Sequence, residues 1–317
     1  MKIVELDVQI LTAPNNGPAY WVSNFIVPRA NELLVRIRTQ DGVEGFGLAT
    51  SYSSAEPMIQ AFKSGIADLV LGEDASAPER LYEKLFGLTS QRVAYEKGWG
   101  REPIIRILSA IDIACWDAIG KAANMALYRL FGGYRDTVPY YVTCAYYRDG
   151  KTIPEIKDEL QQLKSKGHRA FKAKVGWNDD HRELRLLAQQ TKIPLSGGES
   201  ELTMFRCRDP IEDHAIQILQ ADSTMSGGYT ALKKEKTCCA LFTQSGPPRA
   251  ASRLRPPCTS RRIVARRTHS GIVRRGSRSL TGRAVRKSAE DWKGCAHNCS
   301  DCARSPNADH RAWPRPS

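Results

Sequence analysis

After Phe242 the chain loses the means to build a core, and that break limits what it can fold into. Across the 75 residues of Thr243–Ser317, Leu, Ile, Val and Phe together supply only 7, and Phe, Tyr and Met do not occur. The same segment holds 17 Lys and Arg, 15 of them Arg, against 4 Asp and Glu, so the entire formal net charge of +13 lies there. Little apolar surface and a high net charge predict disorder, because burial cannot offset the entropy of ordering. Arg-rich sequence attracts phosphates without selectivity. The tail has no recognisable nucleic-acid motif and only two aromatics, Trp292 and Trp313, so no specific nucleic-acid partner is expected.

The 242 residues before the break are electrically neutral and patterned like a folded protein. Lys2–Thr12, Glu32–Thr39 and Val43–Ala49 alternate apolar and polar residues, the period of a half-buried strand. Asp41-Gly42 between the last two is a hairpin signal. Ser54 is placed to cap a helix, Pro78–Phe86 reads as another, and Ile104–Phe131 reads as one long packing helix ending at Gly132-Gly133, its acids turned outward. A three-stranded meander followed by helices predicts an α+β domain over residues 1–133.

From Val138 the pattern becomes alternating strand and helix. Strands are expected at Val138–Cys144, Arg169–Val175, Ile193–Leu195 and Ile216–Leu219. Helices are expected at Ile153–Lys166 and Glu183–Gln190, with a helical turn at Pro210–His214 and a further helix starting at Gly227. Such alternation predicts parallel βα units over residues 134–242. No stretch reaches the ~18–20 apolar residues of a membrane span, and Met1–Pro14 has no apolar signal-peptide core. The five Cys before the tail show no disulfide framework, which fits a reduced, cytoplasmic setting.

Three short motifs carry chemistry-bearing side chains to strand ends. Lys172-Ala173-Lys174 puts two ammonium groups on one face. Clustered cations lower each other's pKa, which suits a Lys base, although two solvated edge-strand lysines would look the same. Ser196-Gly197-Gly198-Glu199-Ser200 places a carboxylate after a strand. Asp222 stands in the same position after Ile216–Leu219, ahead of Ser226-Gly227-Gly228. In a βα barrel these strand ends form the catalytic face; an ordinary βα turn with an acid near a helix start reads identically.

In their order, these pieces resemble the mandelate racemase/muconate lactonizing enzyme family of the enolase superfamily, in its mandelate racemase-like subgroup. The run AIDIACWDAIGKAANMALYRLFGG resembles the family's signature helix. KAKVG, IPLSGGES and ILQADSTMSGG are similar to its second, fifth and sixth barrel strands. The resemblance implies a capping domain over a (β/α) TIM-type barrel, and Mg²⁺-assisted abstraction of the proton α to a carboxylate of a hydroxy acid or sugar acid. It implies Lys174 as base, Lys172 beside the substrate carboxylate, Glu199 as a metal ligand and Asp222 as the acid of a dyad. Racemisation or dehydration would follow, in an enzyme that is a possible homo-oligomer. Segments around Tyr20–Asn24 and Thr50–Ser53 match the specificity loops by location alone.

The resemblance is incomplete. Lys174 and Glu199 are 25 residues apart, room for one crossover of roughly 30 residues. The third and fourth barrel strands, with two metal carboxylates, have no counterpart; Asp179 and Asp180 are poor substitutes. No strand precedes His269, His297 or His310 to supply the dyad histidine, and nothing after Phe242 resembles the seventh or eighth strand. Four strands cannot close that barrel. These gaps predict impaired catalysis and a damaged reading frame: an internal loss near Trp177–Asp180 and a frameshift near Phe242. Three rival readings stand beside this one: a non-catalytic remnant, a protein that binds nucleic acid through its basic tail, and a Cys295/Cys299/Cys302 metal or cluster site with His297.

Overall fold

The computed structural model describes residues 1–14, 20–21, 26–27, 29–51, 54–146, 148, 150–174 and 181–234. The tail, Asp179, Asp180 and the Cys295–Cys302 motif lie outside the described residues, as does most of the Tyr20–Asn24 segment.

The strands β1 (Ile3–Pro14), β4 (Arg29–Thr39) and β5 (Glu44–Ser51) form an antiparallel sheet in the order β1-β4-β5, and β2 (Tyr20–Trp21) pairs with β3 (Ile26–Val27) in a small separate ribbon. Asp41-Gly42 turns the β4–β5 hairpin, with Gly42 at φ +77°, a conformation that glycine adopts without a Cβ penalty. Leu33, Val35 and Ile37 alternate inward and are fully buried. On the outer face Arg36 joins Glu5, Asp7 and Glu44 in an exposed ion-pair network.

Helices cover the inner face: α1 (Glu56–Ala61), continued through a π-helical segment into α2 (Ala67–Val70), then α3 (Pro78–Gly87), α4 (Arg92–Glu96), α5 (Arg101–Ala122) and α6 (Leu127–Leu130). The first N-cap is Ala55 rather than Ser54, although the Ser54 hydroxyl accepts from the Glu56 amide at 3.2 Å. The helix expected over Ile104–Phe131 is two helices, because Asn124 adopts φ +46° and ends the first one. α5 lies directly on β5. A Cβ at Gly47 would stand 2.7 Å from the Ala114 amide nitrogen, so glycine here permits the close approach of helix and sheet.

Asp112 and Asp117 of α5 do not face outward as expected. Asp117 is half-buried and accepts from the Phe46 amide at 2.9 Å, and Asp112 is fully buried. Helical phase explains the second: Leu108, Asp112 and Cys115 are at i, i+4 and i+7, one face of the helix.

The second part holds β6 (Val142–Cys144), α7 (Ile153–Ser165), β7 (Phe171–Ala173), α8 (His181–Gln190), β8 (Ser196–Gly197), α9 (Met204–Glu212) and β9 (Ile218–Leu219), with a helix over residues 228–234. β6 pairs with β7 and β8 with β9, both in parallel, as two separate two-stranded sheets. These alternating β/α segments are not closed into a barrel. α7 starts with a capping box between Thr152 and Glu155. The strands are shorter than their sequence pattern suggests. The pattern at Ile193–Leu195 shifts to Ser196–Gly197, with Ile193 exposed and Leu195 giving its carbonyl to the amides of Gln217 and Ile218 at 2.9 and 3.1 Å. The turn expected at Pro210–His214 is the end of α9.

The two parts meet where residues 226–230 dock on α5. Gly227 N–H donates to Ser109 Oγ at 2.7 Å, Thr230 N–H to Asp112 Oδ2 at 3.0 Å, and Trp116 Nε1–H to Thr230 Oγ1 at 3.0 Å. Among the described residues no helix is long and apolar enough to cross a membrane.

Candidate active site

The chemistry-bearing residues stand at the carboxyl ends of the short parallel strands. Lys172 lies within β7 and Lys174 one residue beyond it. Glu199 is two residues past β8, and Asp222 three past β9. The i, i+2 spacing sends both lysines to one carboxylate. Lys172 Nζ is 2.8 Å from Glu199 Oε2, and Lys174 Nζ is 3.8 Å from the same oxygen. All three side chains are largely covered, and the Lys174 ammonium stands 6.0 Å from the centroid of the Tyr146 ring. This cluster links β7 to β8 across the gap between the two parallel pairs.

Asp222 is held differently. Its Oδ1 accepts from the Thr224 amide at 2.8 Å and the Thr224 hydroxyl at 2.7 Å. Thr224 Oγ1 is in turn 2.9 Å from Thr50 Oγ1 at the end of β5, and Thr50 Oγ1 is 3.0 Å from Glu32 Oε2 on β4. The sheet of the first part therefore reaches the acid that follows β9 through two buried hydroxyls. Neither Glu32 nor Thr224 stands out in the sequence. The cross-strand pairing of Glu32 with Thr50 is visible only once the β4–β5 register is known.

A third group was also hidden. Burial pushes the Asp112 carboxyl up to about 7, against the opposing pull of the Thr230 hydroxyl and amide, the Tyr229 amide and the Lys233 charge. Its Oδ1 is buried and has no hydrogen-bond partner among the described residues. Burial first, then the Asp112 charge, also raises the neighbouring Cys115 thiol and the Tyr229 phenol. A Cβ at Gly228, which has φ +84°, would fall 2.6 Å from Asp112 Cβ, so this glycine lets the loop press onto the carboxyl.

The donor set does not fit Mg²⁺. That ion takes oxygen ligands in near-octahedral geometry and favours carboxylates. One carboxylate is present in the cluster, and the oxygen it would offer already accepts from one ammonium with a second nearby. Two cations beside the single ligand oppose a divalent ion. Among the described residues no three His, Cys, Asp or Glu side chains converge.

Two family models match parts of the chain. Residues 8–132 match the model of the mandelate racemase/muconate lactonizing enzyme N-terminal domain, and residues 177–245 match that of the enolase C-terminal domain-like family. An arabinonate dehydratase of Saccharolobus solfataricus is 30% identical over 255 residues, 62% of this chain and 66% of its own length. A D-mannonate dehydratase of Xanthomonas oryzae pv. oryzicola is 30% identical over 151 residues, 47% of this chain and 33% of its own length. The chain thus spans just under two thirds of one of these dehydratases and a third of the other.

Among solved structures, a mandelate racemase/muconate lactonizing enzyme superposes with a TM-score of 0.65 at 22% identity, covering 76% of this chain and 79% of that one. The L-talarate/galactarate dehydratase of Salmonella typhimurium, liganded with Mg and L-lyxarohydroxamate, gives 0.63 at 19% identity, covering 76% and 75%. At such identities the likeness is one of fold.

Proposed function

The chain belongs to the mandelate racemase/muconate lactonizing enzyme family at large, within the enolase superfamily, and from that premise we propose that it descends from an enzyme that removes the proton α to the carboxylate of a hydroxy acid or sugar acid. In this reading Lys174 is the base, Lys172 faces the substrate carboxylate, Glu199 is the remaining metal carboxylate and Asp222 the remaining acid of a dyad. The outcome would be racemisation or dehydration, in a cytoplasmic protein able to associate as a homo-oligomer. The chemistry needs such parts because an α-proton is weakly acidic and the ene-diolate left behind must be stabilised as it forms; the handling of an ene-diolate by a Lys base and Mg²⁺ is general to this superfamily.

We propose further that this chain is impaired in that reaction. The observation that carries the reading is the convergence of Lys172 and Lys174 on Glu199. The convergence has two consequences. It places a base candidate where a substrate carboxylate would be drawn by positive charge. It also ties up the only carboxylate of the cluster, so among the described residues the stabilising ion is left without a set of carboxylates to bind it.

The test is α-deuterium washin from D₂O into a panel of aldonic and aldaric acids with Mg²⁺ present. Unexchanged α-protons in every acid are expected; Mg²⁺-dependent exchange that Lys174→Ala abolishes would show a competent enzyme. We place the domain limits at 1–133, 134–242 and 243–317. The last segment we infer to be out-of-frame translation, a reading supported by its composition and by the end of the C-terminal family match at residue 245. Translating the other two frames of the gene beyond codon 242 tests it: absence of further βα units in both would refute the inference.

A further inference from the structure

We propose that the contact between the two parts is a pH-dependent latch: Asp112 of α5 holds residues 226–230 while it is protonated and lets them open locally when it ionises.

The donors that reach Asp112 come from across the contact. Thr230 N–H donates to Oδ2 at 3.0 Å, and the Thr230 hydroxyl and the Tyr229 amide also bear on the carboxyl. Oδ1 has no hydrogen-bond partner among the described residues, and the residue is 2% exposed. A protonated carboxyl leaves one neutral polar group unpaired there. An ionised one leaves a buried charge half satisfied, which costs far more. Water at Oδ1 would relieve that cost. The backbone at Gly228 lies directly on the carboxyl, since a Cβ there would stand 2.6 Å from Asp112 Cβ. Lifting residues 226–230 is the move that admits the water.

The groups facing Asp112 are mixed in sign. On α5 itself Cys115 is the titratable neighbour, its thiol kept protonated by burial. The helix over residues 228–234 brings Lys233, which favours the ionised form, and Tyr229, whose phenol is raised by burial and then by Asp112, Asp117 and Asp222. From α3 the Tyr82 ring approaches to 3.1 Å from a Cβ placed at Gly227, and Asp74, which follows α2, acts on Cys115. Lys233 also pairs with Glu79 at 3.4 Å, and its pull does not outweigh burial: the carboxyl stands at about 7 rather than 3.8.

The open form returns the carboxyl to water and to its ordinary range. A group raised in the closed form supports closing fully below pH ~3.8, and that support is lost as pH climbs to ~7. Between those limits the opening constant rises about tenfold per pH unit, roughly a thousandfold in all, and then levels off. Opening carries Asp222 with it. The Asp222 carbonyl accepts from the Ser226 amide at 2.9 Å, and the Ser223 carbonyl from the Gly228 amide at 3.1 Å, so residues 222–228 form one run of turns.

The experiment is hydrogen exchange of the full chain from pH 5 to 8, read by mass spectrometry on peptides covering residues 226–234 and strand β4, and corrected for the intrinsic pH dependence of exchange. Residues 226–234 are expected to be less protected than β4, and their protection to fall about tenfold per pH unit up to pH 7 and then level off. Asp112→Asn should flatten that fall. Ser109→Ala removes the acceptor of the Gly227 amide and leaves Asp112 in place, so it should lower protection at every pH and keep the slope. A merely structural role for Asp112 would make Asp112→Asn behave like Ser109→Ala. Should Asp112→Asn fail to fold, the parent decides by itself: protection of residues 226–234 that does not change with pH would overturn the proposal. So would protection equal to that of β4 at every pH, which would mean that the contact opens only with global unfolding, or a slope that Asp112→Asn leaves intact. The readout is of backbone amides, so α-deuterium exchange into sugar acids, present or absent, bears on the enzymatic reading alone.

Discussion

Replacing Asp112 by asparagine should make the protein more stable at pH 8 and remove a fall in stability that the parent shows between pH 4 and 7. The carboxyl is fully buried on α5, and burial raises it from an ordinary 3.8 to about 7. A carboxyl raised on folding binds its proton more tightly in the native state than in the unfolded one. Its contribution is therefore complete below pH ~3.8 and is lost as pH climbs through ~7. At about 1.4 kcal/mol per pH unit the loss reaches about 4 kcal/mol by pH 8, a large share of the ~5–15 kcal/mol that holds a typical domain together. The asparagine amide cannot ionise, and its carbonyl can still accept from the Thr230 amide. Other carboxyls act in the opposite sense. Asp74, held down to about 2 by the Ser76 hydroxyl and amide, helps above pH ~3.8 and stops helping as pH falls toward 2. The useful quantity is thus the difference between the two proteins, measured by urea unfolding from pH 4 to 8. Trp116 serves as a fluorescent reporter, because its indole is bonded to Thr230 across the same contact. The difference should grow by about 1.4 kcal/mol per pH unit up to pH 7 and then level off. Parallel curves for the two proteins would refute the assignment of a raised carboxyl to Asp112.

Gly47→Ala should destabilise the first part by about 3 kcal/mol or more, read as a lowered Tm, because the new methyl would meet the backbone of α5 at Ala110 and Ala114. Gly228→Ala should release the docking of residues 226–230, seen as a change in Trp116 emission while the far-ultraviolet dichroism is kept, since its Cβ would overlap Asp112 at a left-handed backbone position. In the native chain Cys115 should stay unmodified by a thiol-reactive probe that labels it in urea; it is buried, and burial holds its thiol protonated. Addition of about 10 mM Mg²⁺ should leave Tm unchanged relative to EDTA, since a site filled well above its Kd would raise it; a saturable rise would show that the Lys172–Glu199 pair opens to admit the ion.

The local elements were legible because their signals are local. The period-two alternation of Leu33, Val35 and Ile37 and the Asp41-Gly42 turn each lie within a few residues, and each appears where the sequence places it. The i, i+2 spacing of Lys172 and Lys174 likewise put both ammonium groups on one face, and the structure finds them at one carboxylate. Elements whose bounds depend on tertiary partners were less legible. β6 and β9 shrink to the few residues that have a neighbouring strand to pair with, and an apolar run alone does not reveal where such pairing stops.

What the sequence hid most completely are the contacts between its two parts. Asp112 sits in a run of apolar residues, and its helical phase with Leu108 and Cys115 predicts burial once phase outweighs residue type. The partner that justifies burying it, the helix start at Gly228–Thr230, is more than a hundred residues away. Glu32, Thr50 and Thr224 are the same case, a row assembled from two strands and a turn. These contacts also bear on what the chain can do. The two separate parallel pairs leave strand edges uncovered by a neighbouring strand, yet α5 receives residues 226–230 through Ser109, Asp112 and Trp116. The contact between the two parts is thus present in a chain whose described residues bring no three metal-ligating side chains together. Whatever remains of the chemistry, the Asp112 carboxyl at this contact should still titrate near 7, because its burial and its hydrogen bonds come from α5 and residues 229–230 and not from strands that close a barrel.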